Sequence, residues 1–239
     1  DEIFLIQAKE TFQFIQNNLV INDNLMHTHQ SNTAKIEANL EDYAFTITAA
    51  LDLYENTGNT YYLEKADKLN KIAIKKFETK ENPFYTFTEN PVLFSKIISL
   101  DDNVIASANS KMAENLWELG HIYENKDYVK RAKSMLDAVI KYFADGRGKD
   151  YSQWAQLLAK EFFSFKEVII VGPDSKKINS QIKQNYLPNV LFQISEKENN
   201  LPLLKDRFFK DETLIYVCEN KVCLRPSKNV SEALKQIVN

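Results

Sequence analysis

The chain has 239 residues, 44% of them hydrophobic and 26% charged, with a net charge of −3 and a pI near 5.8. This balance is ordinary for a globular protein of one large domain or two small ones. It argues against nucleic-acid binding as the main task, which needs a clustered basic face. No apolar run approaches the roughly 20 residues of a membrane span. No signal-peptide pattern opens the sequence, so a cytoplasmic setting is the expectation. The start at Asp1 rather than Met leaves room for a removed tag, leader or domain.

Residues Glu2 to Leu19 are amphipathic, with Phe4, Ala8, Phe12, Ile15 and Leu19 apolar, and read as the outer helix of a hairpin. A long loop over 20–38 follows, carrying Leu25, Met26, His27 and His29 and at most a short strand. From Leu40 to Phe77 the pattern is that of two helices. Leu40, Tyr43, Ala44, Ile47, Leu51 and Tyr54 recur at helical spacing, and Phe45, Ala49 and Leu53 add a second apolar side, as in an inner helix with several neighbours. Asn39 suits its N-cap and Gly58 its end. The second helix turns Tyr62, Leu63, Ala66, Leu69, Ala73 and Phe77 inward and its lysines outward.

A second long loop, 78–106, contains Phe84-Tyr85-Thr86-Phe87, with Pro83 and Pro91 as breakers. The helical plan then repeats from Ser107 to Phe143: Tyr62, Ala66, Leu69, Ile74 and Phe77 match Tyr128, Ala132, Met135, Ile140 and Phe143 at constant offset, with a shorter turn in the second copy. Repeated helical hairpins predict a solenoid or a closed α/α toroid, because one hairpin cannot bury its own apolar faces. After a turn at 145–148, Asp150 to Phe163 reads as a third inner helix.

The period then changes. Glu167 to Val171 and Asn189 to Ile194 read as buried strands around a helix near 175–186; Thr213–Cys218 and Val222–Arg225 read as a hairpin, and Ser231–Val238 as a last helix. The expected division is a helical part over 1–165 and a small α/β unit over 166–239. A two-residue turn at Asn220-Lys221 sets Cys218 opposite Cys223, so a disulfide is geometrically allowed. With only two cysteines and no secretory signal, buried thiols are the expectation. Gly172 after a strand lacks the rest of a G-x-G-x-x-G pattern, so no cofactor is predicted.

Turns from inner to outer helix are short and loops from outer to inner are long. In a stack of hairpins this collects the long loops at one end, where function concentrates. His27, His29, Glu41, Asp42, Tyr85, Phe87, Asp102, Asn103, Ser107, Asn109 and Asp150 are therefore predicted to rim one mouth. Glu41, Asp42 and His27 are the catalytic candidates; Tyr85, Phe87, Asp102, Ser107, Asn109 and Trp154 are the substrate-binding candidates. Competing structural roles are first-turn carboxylates for Glu41 and Asp42, caps for Ser107 and Asn109, core for Trp154 and Phe87, and a solvated loop pair for His27 and His29. With His121 as the third and last histidine, no metal site is expected.

The segments LEDYAF (40–45), DNVIASANS (102–110) with MAENL (112–116), YSQWA (151–155), EVIIVG (167–172), NYLPN (185–189) and IYVCENKVC (215–223) occur in an order that resembles the C-terminal part of the spermatogenesis-associated thioredoxin-like proteins and their bacterial relatives. That resemblance implies a mainly α fold, an incomplete (α/α)6-toroid-like hairpin array similar to N-acylglucosamine 2-epimerase and cellobiose epimerase, followed by the α/β unit. The thioredoxin-like domain and about half of the toroid are absent, and Ala106 stands where the pattern has Pro. An arc that cannot close leaves apolar edges, so a homo-oligomer or a missing N-terminal segment is the expected partner. Two functions stay open: binding or isomerising a carbohydrate-like ligand, with Glu41 or Asp42 and a histidine as acid and base, or a non-catalytic scaffold that docks a partner or the missing domain. Hydrolysis by two carboxylates, with Asp102 or Asp150 as the second acid, is a third.

Overall fold

The computed structural model describes residues 2–89, 97–163 and 165–238; Pro91, read above as a breaker, lies outside them. Helix α1, Glu2–Asn18, leads into three antiparallel strands, β1 (Val20–Ile21), β2 (Asn24–Gln30) and β3 (Thr33–Glu37), in the order β1-β2-β3. The stretch expected as a loop is thus a small sheet. Its two turns explain it. Asn22-Asp23 and Ser31-Asn32 all take positive φ, between 49° and 68°, the geometry that closes a two-residue hairpin and that Asn and Asp tolerate best.

Two helical hairpins follow, α2 (Leu40–Thr57) with α3 (Thr60–Phe77), and α4 (Ala108–Tyr123) with α5 (Lys126–Ala144). Helix α2 buries Leu40, Tyr43, Ala44, Ile47, Ala50, Leu51, Leu53 and Tyr54, so it is packed on more than one side. Helix α3 buries one stripe and leaves most of its lysines in water. Gly58 ends α2 at φ +66, and its N–H donates to the Tyr54 carbonyl at 2.7 Å. A Cβ at that position would stand 2.6 Å from the Ile194 carbonyl oxygen, so backbone shape and close packing both require glycine there. Asn59 caps α3 and Asn125 caps α5, each accepting from backbone N–H groups of the first turn.

The inner helices α2 and α4 lie against each other. Asn115 Nδ2 donates to the Ala44 carbonyl at 2.8 Å, and Thr48 Oγ1 donates to Asn115 Oδ1 at 2.9 Å. A short 3-10 turn, Gly148–Tyr151, leads into α6 (Ser152–Phe162), which packs on α4 and α5. One apolar core runs through these helices, from Phe12 and Leu25 to Trp117, Met135 and Leu157.

The remainder is β4 (Lys166–Val171), α7 (Ser175–Ile182), β5 (Val190–Ser195), β6 (Leu214–Glu219), β7 (Val222–Cys223) and α8 (Val230–Val238). The sheet order is β5-β4-β6-β7, with β4 and β5 parallel and the other pairs antiparallel. Strand β4 is buried on both faces: Val168 and Ile170 meet Ile182, Ala233 and Ile237, while Ile169 and Val171 meet Leu203 and Leu204. This is why Glu167–Val171 reads as an unbroken apolar run. Helix α7 stops at Ile182, short of the predicted 186, and β7 is shorter than its predicted strand. Cys218 and Cys223 are joined in a disulfide, not held as the expected thiols; the hairpin register sets them directly opposite. Glu55 near the end of α2 ties the two parts together, accepting from Phe192 N at 3.0 Å and from Lys183 Nζ at 2.7 Å.

Candidate functional site

The first turn of α2 faces β2. Asp42 is the third residue of the helix, and its Oδ2 accepts from the Asn39 N–H at 2.8 Å, satisfying one of the free donors that begin a helix. The same carboxylate meets His27 Nδ1, with Oδ2 at 2.8 Å and Oδ1 at 3.0 Å. A carboxylate only accepts, so Nδ1 is the donor in this contact, and in the neutral tautomer that it favours the lone pair falls at Nε2. Nε2 has no partner among the described residues, and the His27 side chain is 44% exposed. The strand is held in place by Leu25, whose N–H donates to the Tyr43 hydroxyl at 3.0 Å; burial raises the Tyr43 pKa. Together these elements wall a cleft of about 290 Å³ lined by Ile15, Leu19, Met26, His27, Glu41, Asp42, Phe45 and Thr46. Its titratable groups are Glu41, Asp42 and His27, the three residues singled out by sequence, beside the apolar Ile15, Leu19, Met26 and Phe45. Asp42 is committed to His27 and Asn39, whereas Glu41 is exposed with no ion pair among the described residues. His29 packs edge-on against Phe14 on α1, away from this cleft.

The other candidates build the wall between the N-termini of α2, α4 and α6. Phe87 accepts from the Leu40 N–H at 3.0 Å through its carbonyl. Asn109, expected as a cap, is a buried clamp: its Oδ1 accepts from Tyr85 N at 2.8 Å, and its Nδ2 donates to the Tyr85 and Ser99 carbonyls, each at 3.0 Å. Ser107 does cap α4, accepting from Ser110 N. Asp102 binds two helix starts at once, with Oδ1 accepting from Ser107 N at 2.9 Å and Oδ2 from Gln153 N at 2.8 Å. Trp154 is fully buried and donates to the Leu100 carbonyl at 2.8 Å. Tyr85 is also buried, with the Arg131 guanidinium 4.9 Å from its ring centre, and burial pushes its hydroxyl up to about 12. Tyr85, Asn109 and Trp154 therefore present no open face to a ligand. The polar atoms of Asp102 and Ser107 are likewise taken up by the chain.

Sequence reading missed two features. Lys160 on α6 bridges Glu114 at 3.0 Å and Glu118 at 3.3 Å on α4, and Lys111 meets Glu114 at 2.7 Å. Lys111, Glu114 and Glu118 at helical spacing were a visible signal; Lys160, far along the chain, was not. Burial, with Glu114 nearby, pushes Glu118 up to about 7 against the pull of Lys160. At the opposite end of the hairpins, a second cavity of about 520 Å³ is lined by His121, Val129, Lys126, Lys130, Lys133 and Lys221. Burial pushes His121 down to about 4, and Lys221 and Lys160 add to the effect. Among the described residues no group of three or more His, Cys, Asp or Glu is arranged to hold a metal ion. No described helix is long and apolar enough to cross a membrane.

No family model matches the chain. It is 27% identical over 213 residues to spermatogenesis-associated protein 20 of Homo sapiens, covering 82% of this chain and 27% of that protein. The Rattus norvegicus protein of the same name is 26% identical over 213 residues, 82% of this chain and 26% of that protein. An uncharacterised protein of Caenorhabditis elegans is 27% identical over 212 residues, 86% of this chain and 29% of that protein. The chain spans little more than a quarter of the length of the curated relatives it matches. This helix-rich chain is a distant homologue of spermatogenesis-associated protein 20.

Proposed function

We propose that the cleft at His27 and Asp42 binds a small, carbohydrate-like ligand and that His27 moves a proton within it, as in an epimerase or isomerase. In this reading α1 to α6 are an arc of an α/α toroid, residues 1–165 form the ligand-binding part, and 166–239 form a supporting α/β unit in a cytoplasmic protein. The observation that carries it is the 2.8 Å contact between Asp42 and His27 Nδ1. It holds the ring in the tautomer whose Nε2 lone pair accepts a proton. Such a base would remove the proton from a carbon beside a carbonyl and return it to the other face or to the neighbouring carbon. Glu41 is the second titratable group at hand, and Phe45 supplies an apolar wall for a sugar face.

The test is deuterium uptake from heavy water into a panel of aldoses, ketoses and N-acylated sugars, followed by NMR, with binding measured by calorimetry. Uptake by the wild type, lost in His27→Gln and cut at least about tenfold in Asp42→Asn, is the expected result. A wild type that neither binds nor exchanges any of the panel overturns the reading. A scaffold role is the second reading. It is favoured by the exposed Phe4, Ile6 and Phe14 on α1. Partner capture that survives His27→Gln would select it.

A further inference from the structure

We infer that the Cys218–Cys223 bridge is a redox-active pair, exchanging with dithiols while the chain stays folded, and that Arg207 is the group that makes it so. The pair owes its geometry to the hairpin. Asn220 and Lys221 form the two-residue turn with φ of 50° and 67°, and the strand register sets Cys218 opposite Cys223. Cys218 is buried against Ile169, Val171, Leu203 and Leu204, whereas Cys223 is half-buried on β7, which ends the sheet. One sulfur is therefore open to attack from solvent and the other is held in the core.

A purely structural cross-link has no need of a cation. Here the Arg207 guanidinium is aimed at both sulfurs: its Nη1 lies 3.3 Å from Cys223 Sγ and 3.8 Å from Cys218 Sγ. The guanidinium lies 4.7 Å from the centre of the Tyr216 ring, a cation–π contact that holds it in place. No ion pair to a carboxylate is seen for Arg207 among the described residues. A fixed positive charge beside sulfur stabilises the thiolate, which is both a better leaving group and the form that accumulates on reduction.

The chemistry balances with a dithiol as co-reactant. Its thiolate attacks Cys223 Sγ, forming a mixed disulfide and breaking the Cys223–Cys218 bond, with the electron pair leaving on Cys218 beside Arg207. The second thiol of the reductant, as thiolate, then attacks its own sulfur in the mixed disulfide and expels Cys223 as thiolate, 3.3 Å from the same guanidinium. The reductant leaves as a disulfide, two electrons poorer, and its two protons pass to the cysteines or to solvent. The partner is thus a dithiol whose two sulfurs can close an unstrained disulfide ring, small or carried by a protein.

The test titrates the whole folded chain with dithiothreitol at neutral pH, traps free thiols with iodoacetamide and counts them by intact mass, while circular dichroism follows the fold. The expected result is two alkylated cysteines in a chain that keeps its native spectrum. Arg207→Gln should need about tenfold more dithiothreitol, the equivalent of one pKa unit at a single thiolate, and Arg207→Lys should return most of that shift. A bridge in the wild type that yields only once the chain unfolds overturns the proposal whatever the variants do. So does an Arg207→Gln titration that matches the wild type.

Discussion

Replacing Asp102 by Ala separates a structural clamp from a ligand contact. In the folded chain its carboxylate accepts from the backbone N–H of Ser107 at 2.9 Å and of Gln153 at 2.8 Å, so one side chain begins both α4 and α6. It also accepts from Ser110 Oγ at 3.1 Å, but that hydroxyl keeps the Ser107 carbonyl at 2.8 Å as an acceptor. The loss therefore falls on two helix starts. Each lost cap costs about 1 kcal/mol, and removing a carboxylate from two helix N-termini adds roughly 0.3–1 kcal/mol more. Because Asp102 is only half-buried, water recovers part of this, and the expected destabilisation is about 2 kcal/mol. Asp102→Asn keeps one acceptor and should lose about half as much. Urea unfolding followed by circular dichroism should show a lower midpoint with an unchanged slope. A loss below about 0.5 kcal/mol in Asp102→Ala would refute the clamp. Intact stability with loss of ligand binding would return Asp102 to the set of ligand-binding groups.

Gly58→Ala should destabilise by more than about 1 kcal/mol, since φ is +66 and the new Cβ would collide with the Ile194 carbonyl; a melting temperature within a degree of wild type would contradict this. Stability should also fall in acid through His121. Its folded pKa is depressed from 6.5 to about 4, so between these values the unfolded chain binds a proton that the folded chain refuses. The contribution is complete above pH 6.5 and is lost as pH falls toward 4, by at most roughly 3 kcal/mol. Subtracting the curve of His121→Gln should isolate this slope, and identical curves would show that the ring titrates alike in the folded and unfolded chain.

Much of the scaffold could be read along the chain. The inner or outer character of α2 and α3, the copy of that plan in α4 and α5, the stop at Gly58, the buried strand β4 and the Asn220-Lys221 turn all follow from short-range rules. Helical and strand periods, capping and left-handed turn residues act within a few positions and need no knowledge of the rest of the molecule. The sheet of β1 to β3 escaped because its turns were legible but its strands were not. His27, Thr28, His29, Lys35 and Glu37 mix with the apolar residues, as suits a small sheet with much of its surface in water.

What packing alone decided is which side chains meet. Asp42 could equally have served its own helix; only the placement of β2 across the start of α2 makes it the partner of His27. Asn109 is a residue type suited to a cap, yet the placement of Tyr85 and Ser99 beside the start of α4 turns it into a clamp. Arg207 and the two cysteines lie in different segments, and nothing local directs that guanidinium to sulfur. The energy of such pairings depends on distances between elements far apart in sequence, set by the shape of a shared core, and so it exists only once the chain has folded.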